Sequence, residues 1–414
     1  ALAGPWLPEA FDAHKTRVSG EASVAAGAQP VANQRLEFSD LLVREASLAK
    51  RPVALDLKVD AQATLHSEQG TRYLEVILDQ VQSGALAVSG EAPGQWGSVS
   101  VLHEIATLSL VMAEVGCDAS LSALPVALRP MLAGLELRGK MHSSLELMVS
   151  RQDQKETQIK VDSGIAGCKV VREPPSANTK KLAASFEHRS PDGKPHLLES
   201  GSADFASYDE LPSHVPLAFA AAEDSRFFKH KGFDLHQIER SLAIDAQEGR
   251  FVRGGSTITQ QLAKNLFLHR KRTFARKLQE AILAWRLEHN LSKERILEIY
   301  LNIIEFGDDG TYGIVAASKR WFGVEPGDLT VLQTAFLAAI VPEPVSMSAR
   351  IRNANGLDSV SAARVATILR AMRRSKAIST RQYRKAKGKK LRLHPSPSAK
   401  KWQAMRSPKP TTRN

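Results

Sequence analysis

The sequence predicts an α+β multidomain chain: a β-rich N-terminal half, then a mainly α domain, then a basic, disordered tail. Three observations predict this. Val53, Leu55, Leu57, Val59, Ala61, Ala63 and Leu65 alternate with mostly polar residues, the period of a half-buried strand. Beyond Gly255 the spacing changes, and Ile258, Leu262 and Leu266 recur every four residues, as on one face of a helix. From 372 to 414 there are 15 Lys and Arg and no acid, against a net charge of +12 for all 414 residues. Everything before the tail is therefore about −3 (12 − 15), so specific nucleic-acid binding by the main body is not expected.

In the first half, 74–78 and 86–88 read as further short strands. Residues 101–115 are largely apolar and are expected to be helical, ending at Gly116. Strands over 135–139, 145–149 and 157–161 follow. The expected division is a β-rich accessory region at 1–100, a helix plus β-rich accessory region at 101–200, a mainly α domain at 205–375 and the tail at 376–414. The accessory half carries no catalytic arrangement, because His14, His66 and His103 lack metal-ligand spacing. A spacer, a lipid contact and a partner-binding module all fit it. Two cysteines, Cys117 and Cys168, make no disulfide framework, but one bridge between them or two buried thiols both fit. No apolar run reaches membrane-spanning length.

Chemistry concentrates in 219–342. Glu223 ends the apolar run 217–222, and a carboxylate held near apolar groups has its protonated form favoured, which moves it toward a general base or acid. An ordinary acid pair at a helix end, Glu223 with Asp224, is the alternative. Gly254, Gly255, Ser256 and Thr257 let backbone approach a ligand and supply hydroxyl donors at a predicted helix start. A plain glycine turn with a Ser cap also fits. Lys264, Lys271, Arg272, Arg276 and Lys277 gather around Glu280, as a diphosphate would require. Arg276 and Glu280, four apart, also fit a surface ion pair. Ser292 is expected to cap a helix, 330–341 to be a buried helix and 362–373 the last helix.

Five ordered motifs carry a resemblance. They are Glu223-Asp-Ser-Arg-Phe-Phe-Lys-His-Lys-Gly232, Gly254-Gly-Ser-Thr-Ile-Thr-Gln-Gln261, Arg276-Lys-Leu-Gln-Glu-Ala-Ile-Leu-Ala284, Arg295-Ile-Leu-Glu-Ile-Tyr-Leu-Asn302 and Ala335-Phe-Leu-Ala-Ala-Ile-Val-Pro342. Together they resemble the peptidoglycan glycosyltransferases, the lysozyme-like polymerising domain of penicillin-binding proteins and of monofunctional transglycosylases. Two departures stand out: Trp321 where the family has Tyr, and 343–348 in place of the usual Asn-Pro exit.

The resemblance implies an inverting reaction that joins lipid II units into a growing glycan chain and releases undecaprenyl diphosphate. It implies Glu223 as the base. Ser256, Thr257, Lys264, Arg276 and Lys277 would hold the diphosphate, while Gln260 and Gln261 orient hydroxyls. Asp224 holds local structure, Arg226 and His230 serve the acceptor side, and Glu298, Asn302 and Gly313 brace the cleft. Glu280 is a second catalytic carboxylate that could anchor the cations, assist departure or bind a divalent cation (Mg or Mn) at the donor diphosphate. The location implied is the periplasmic face of the bacterial inner membrane, through an N-terminal anchor absent from this chain. Phe233, Leu235, Ile238, Phe251 and Val252 fit either a lobe touching membrane lipids or an ordinary amphipathic helix. In the tail, cations and Trp402 fit contact with anionic head groups or a solubilising role. No serine-acylating set follows, so peptide cross-linking is not expected. The first half could bind envelope or cell-wall-synthesis proteins, and the alternatives are an inactive or regulatory envelope scaffold that recruits such a partner and a glycan-strand hydrolase.

Overall fold

The computed structural model describes residues 17–25, 30–44, 48–68, 71–83, 86–87, 97–101, 105–150, 158–191, 193, 195–248, 255–269, 271–308 and 310–394. The chain begins with β1 (Arg17–Ala25), β2 (Val31–Val43), β3 (Val53–Glu68), β4 (Thr71–Ser83), β5 (Leu86–Ala87), β6 (Gly97–Val101) and β7 (Ile105–Gly116). Next come α1 (Cys117–Ser122), β8 (Glu136–Arg138), β9 (Lys140–Ser150), β10 (Gln158–Ser163), β11 (Lys169–Arg172), β12 (Phe186–Arg189) and β13 (Pro195–Leu198). Helices then take over: α2 (His214–Glu223), α3 (Leu235–Glu248), α4 (Ile258–Phe267), α5 (Phe274–Asn290) and α6 (Lys293–Ile303). Last are α7 (Ile314–Phe322), α8 (Val331–Ile340), α9 (Pro344–Asn353), α10 (Ser359–Arg374) and α11 (Thr380–Lys387).

These elements form two compact units. The first is drawn from 1–179, 231–256 and 266–286, the second from 180–230, 257–265 and 287–414. The first unit is built on an antiparallel sheet in the order β1-β2-β3-β4-β6-β7-β9-β10, with β5 beside β4. Long strands joined by hairpins give this meander its register, with Val43 opposite Val53 and Leu65 opposite Leu74. At one end of it Leu41, Val43, Ala49, Val53 and Leu128 form a buried cluster that also takes in Ala275 of α5.

The helix expected at 101–115 is instead strand: β6 ends at Val101 and β7 runs Ile105–Gly116. β7 is hydrogen-bonded on both sides, to β6 and to β9. An apolar run does not by itself separate a central strand from a buried helix, and Ile105, Thr107, Val111 and Val115 are β-branched residues that favour the strand. Only α1, six residues long, is helical there.

Cys117 opens α1 and Cys168 precedes β11, and a disulfide joins them with Cα atoms 5.8 Å apart. Both sulfurs are buried against Trp285. A thiol count on unfolded, unreduced protein is expected to find no free cysteine, and two after reduction. Because the bridge spans 51 residues, reduction is expected to lower stability by roughly 2–4 kcal/mol in a denaturant titration.

The second unit is mainly helical around α8, in which Leu332 and every residue from Thr334 to Ile340 are buried. Thr330 and Gln333 close a capping box at its start, and Ser292 accepts from the Arg295 amide at the start of α6. Trp321 donates its indole N–H to the Phe306 carbonyl at 2.9 Å, so the aromatic departure is a buried, satisfied residue. The atypical exit after Pro342 becomes α9, with Pro344 in its first turn. Disorder was expected from 376 onward, yet α11 folds within that stretch. Ser379 and Gln382 form a capping box there, and Ile378 and Ala386 are buried. Tail residues 395–414, with Trp402, lie outside the described residues. Among the described residues no single helix is long and apolar enough to cross a membrane.

Candidate active site

The candidate residues fall into two sets, one in each unit. In the second unit, α2 buries Val215, Ala218, Phe219 and Ala220 and ends on Glu223. The chain leaves the helix at Asp224, whose φ is −154°. Asp224 accepts from the Ile258 amide at 3.1 Å, at the first residue of α4, and from His230 Nε2 at 2.9 Å. One carboxylate thus joins the turn after α2 to the start of α4, where a negative charge is favoured by the exposed amides. Thr257 and Gln260 are buried and bonded reciprocally: the Thr257 amide donates to Gln260 Oε1, and the Gln260 amide donates to Thr257 Oγ1. They form the cap of α4.

That cap presents Gln261. Its Nε2 donates to Glu223 Oε2 at 2.9 Å, and its Oε1 accepts from the Tyr300 hydroxyl at 3.0 Å. Tyr300 is completely buried on α6, and burial holds its hydroxyl protonated far above the ordinary range. A permanent donor on Oε1 leaves only the amide N–H₂ to face Glu223, which fixes the orientation of Gln261. Burial raises the Glu223 carboxyl above the usual carboxylate range. The Gln261 bond, Arg364 and Lys264 oppose that rise, and Asp224 adds to it. The result is a stronger base than a solvated glutamate. Tyr300→Phe should leave Gln261 free to turn its oxygen toward Glu223. Turnover is expected to fall about tenfold, the order of one hydrogen bond, with little change in KM in steady-state assays.

The bracing residues act on the entry segment. The Asn302 amide oxygen accepts from the Ala206 amide and its Nδ2 donates to the Ala206 carbonyl, both at 2.9 Å. Glu298 accepts from the Tyr208 amide at 2.8 Å. Gly313 has φ +81°, and a Cβ there would stand 2.7 Å from the Asn302 carbonyl, so only glycine fits. Arg226 is exposed, Lys264 is half-buried, Phe227 is core and Phe228 is 48% exposed.

In the first unit the cations converge on one buried carboxylate. Glu280 takes Arg276 Nη1 on Oε1 and Lys277 Nζ on Oε2, the latter at 3.2 Å. Lys277 Nζ also donates to Ser256 Oγ at 2.7 Å. Thr273 accepts from the Arg276 amide and caps the first turn of α5. Two cations in the first turn oppose the helix dipole, and both are paired with Glu280. Of the residues suggested for lipid contact, Phe233 packs on the disulfide cluster and Leu235 and Ile238 are half-buried on α3, while Phe251 and Val252 lie outside the described residues.

Glu280 does not fit a metal ligand as it stands, because both oxygens already hold cations. Among the described residues there is no group of three or more His, Cys, Asp or Glu placed to hold an ion.

Tyr300 and Arg364 are the residues that sequence reasoning did not assign to the site. A tyrosine in the otherwise apolar stripe of α6 was a usable signal, since a buried hydroxyl needs a partner. Arg364, which pairs with Glu343 at 3.4 Å, carried none.

Residues 195–373 match the Transglycosylase family. The biosynthetic peptidoglycan transglycosylase of Methylobacillus flagellatus is 46% identical over 140 residues, 34% of this chain and 61% of that protein. That of Acinetobacter baylyi is 49% identical over 137 residues, 33% of this chain and 61% of the relative. The chain thus spans about three-fifths of the length of these curated relatives. Penicillin-binding protein 1A from Haemophilus influenzae aligns with a TM-score of 0.27 at 18% identity, over 52% of this chain and 22% of that one, which carries no argument.

Proposed function

We propose that this protein is a peptidoglycan glycosyltransferase that polymerises lipid II into glycan strands. Glu223 takes the proton of the acceptor's 4-hydroxyl as that oxygen forms its bond to the donor's anomeric carbon. The bond from that carbon to the diphosphate oxygen breaks, and undecaprenyl diphosphate leaves with the electron pair. Lys277, Arg276 and Ser256 meet the charge that develops on the leaving group, with Glu280 holding the two cations in place. Gln261 keeps Glu223 aimed and ionisable.

The observation that carries this reading is the half-buried Glu223, its carboxyl raised by desolvation and held by an oriented Gln261, within a stretch that matches the Transglycosylase family. The Cys117–Cys168 disulfide supports an oxidising compartment such as the periplasm. Purified protein supplied with lipid II should yield glycan chains with and without chelator. No chains under either condition rejects the reading in favour of a scaffold, and cleavage of ready-made strands favours a hydrolase.

A further inference from the structure

Helix α5 is shared between two tasks. At about 100° per residue, Ala275, Leu278, Gln279 and Arg286 fall on one arc of the helix. Arg276, Lys277 and Glu280 fall on another, centred roughly 160° away. The first arc is held entirely by residues that precede the family match, which begins at 195. The Ala275 amide donates to the Leu48 carbonyl at 2.8 Å, and the Ala275 side chain belongs to the buried cluster of Leu41, Val43, Val53 and Leu128. Leu278 packs on the same cluster. Gln279, 2% exposed, accepts from the Met131 amide at 2.9 Å and donates to the Ala275 carbonyl at 3.0 Å. Further along, the buried Arg286 guanidinium donates to Glu173 at 2.9 Å, and Glu173 also accepts from Thr179 at 3.0 Å.

We propose that the β-rich N-terminal region is a positioning element for the reaction: through Gln279 and Ala275 it sets the angle and height at which α5 presents Arg276 and Lys277 to an anionic diphosphate. This rests on the assignment of those cations to the leaving group. A tethered accessory module would leave α5 to its own domain. Here its first two turns are hydrogen-bonded to the backbone at 48 and 131, and Ala275 and Leu278, held by the same cluster, directly adjoin the two cations in sequence. A small rotation of the helix carries Arg276, Lys277 and Glu280 together and moves Lys277 relative to Ser256, so a change in the sheet reaches the cations by this route.

The test uses the whole chain and inorganic pyrophosphate as probe. Gln279→Met keeps the volume and removes both hydrogen bonds, whereas Gln279→Glu retains an acceptor for the Met131 amide. Leu128→Ala loosens the same grip from outside the family match. Titration calorimetry should show pyrophosphate affinity falling about fivefold in Q279M and in L128A, with most of it recovered in Q279E. In polymerisation assays kcat should fall by a similar factor, with KM for lipid II little changed. Wild-type affinity and kcat in both Q279M and L128A would overturn the proposal, as would failure of the wild type to bind pyrophosphate. If the wild type makes no glycan yet its pyrophosphate affinity still drops in Q279M and L128A, the functional reading fails and the positioning role stands.

Discussion

Glu223→Gln (E223Q) is expected to abolish glycan polymerisation, by a factor of at least about 10³, while the fold persists and becomes more stable at neutral pH. The loss follows from the role: removing a positioned base costs on the order of 10²–10⁴ in rate. The stability gain follows from the sign of the shift. Burial raises the Glu223 carboxyl above its value in the unfolded chain. Folding therefore favours the protonated form, and that advantage is complete below the unfolded value. It is lost as pH rises through the raised folded value. A glutamine has no charge to bury, and its amide oxygen can still accept from Gln261. Thermal melts from acid to neutral pH should show E223Q and wild type together in acid, with the variant above wild type at neutral pH. Equal activity, or a variant less stable at neutral pH, contradicts the assignment.

Lys277→Ala is expected to lower kcat by about 10²–10³, the cost of removing one fixed donor to developing negative charge. Lys277 bridges Ser256 and the buried Glu280, so its loss also leaves that carboxylate with Arg276 alone. Lys277→Arg keeps the charge but replaces a compact ammonium with a planar fork, and it should recover only part of the rate. Single-turnover rates at saturating lipid II separate this from weakened binding. A variant whose kcat is unchanged places Lys277 outside the leaving-group machinery.

The helical domain was legible because its signals are local. The four-residue spacing from Ile258, the Ser292 cap and the apolar stretch of α8 each specify an element within one or two turns. The motif residues were legible for the same reason. Their partners were not, because they are set by tertiary packing. Thr257 and Gln260 read as ligand-facing polar residues but are bonded to each other, and no spacing rule shows that Tyr300 orients Gln261 across 39 positions. The β half failed differently. In β7 the run from Ile105 is largely apolar, and its pairing with β6 and β9, which no local spacing shows, decides that it is strand. That α5 is gripped by residues 48 and 131 was beyond reach, since backbone carbonyls and amides leave no mark in a sequence.

The most direct measurement is product analysis after purified wild-type and E223Q proteins are given labelled lipid II under identical conditions. Long glycan chains and released undecaprenyl diphosphate from the wild type, with neither from E223Q, is the result expected. Chains of equal length and yield from both proteins would remove Glu223 from the chemistry.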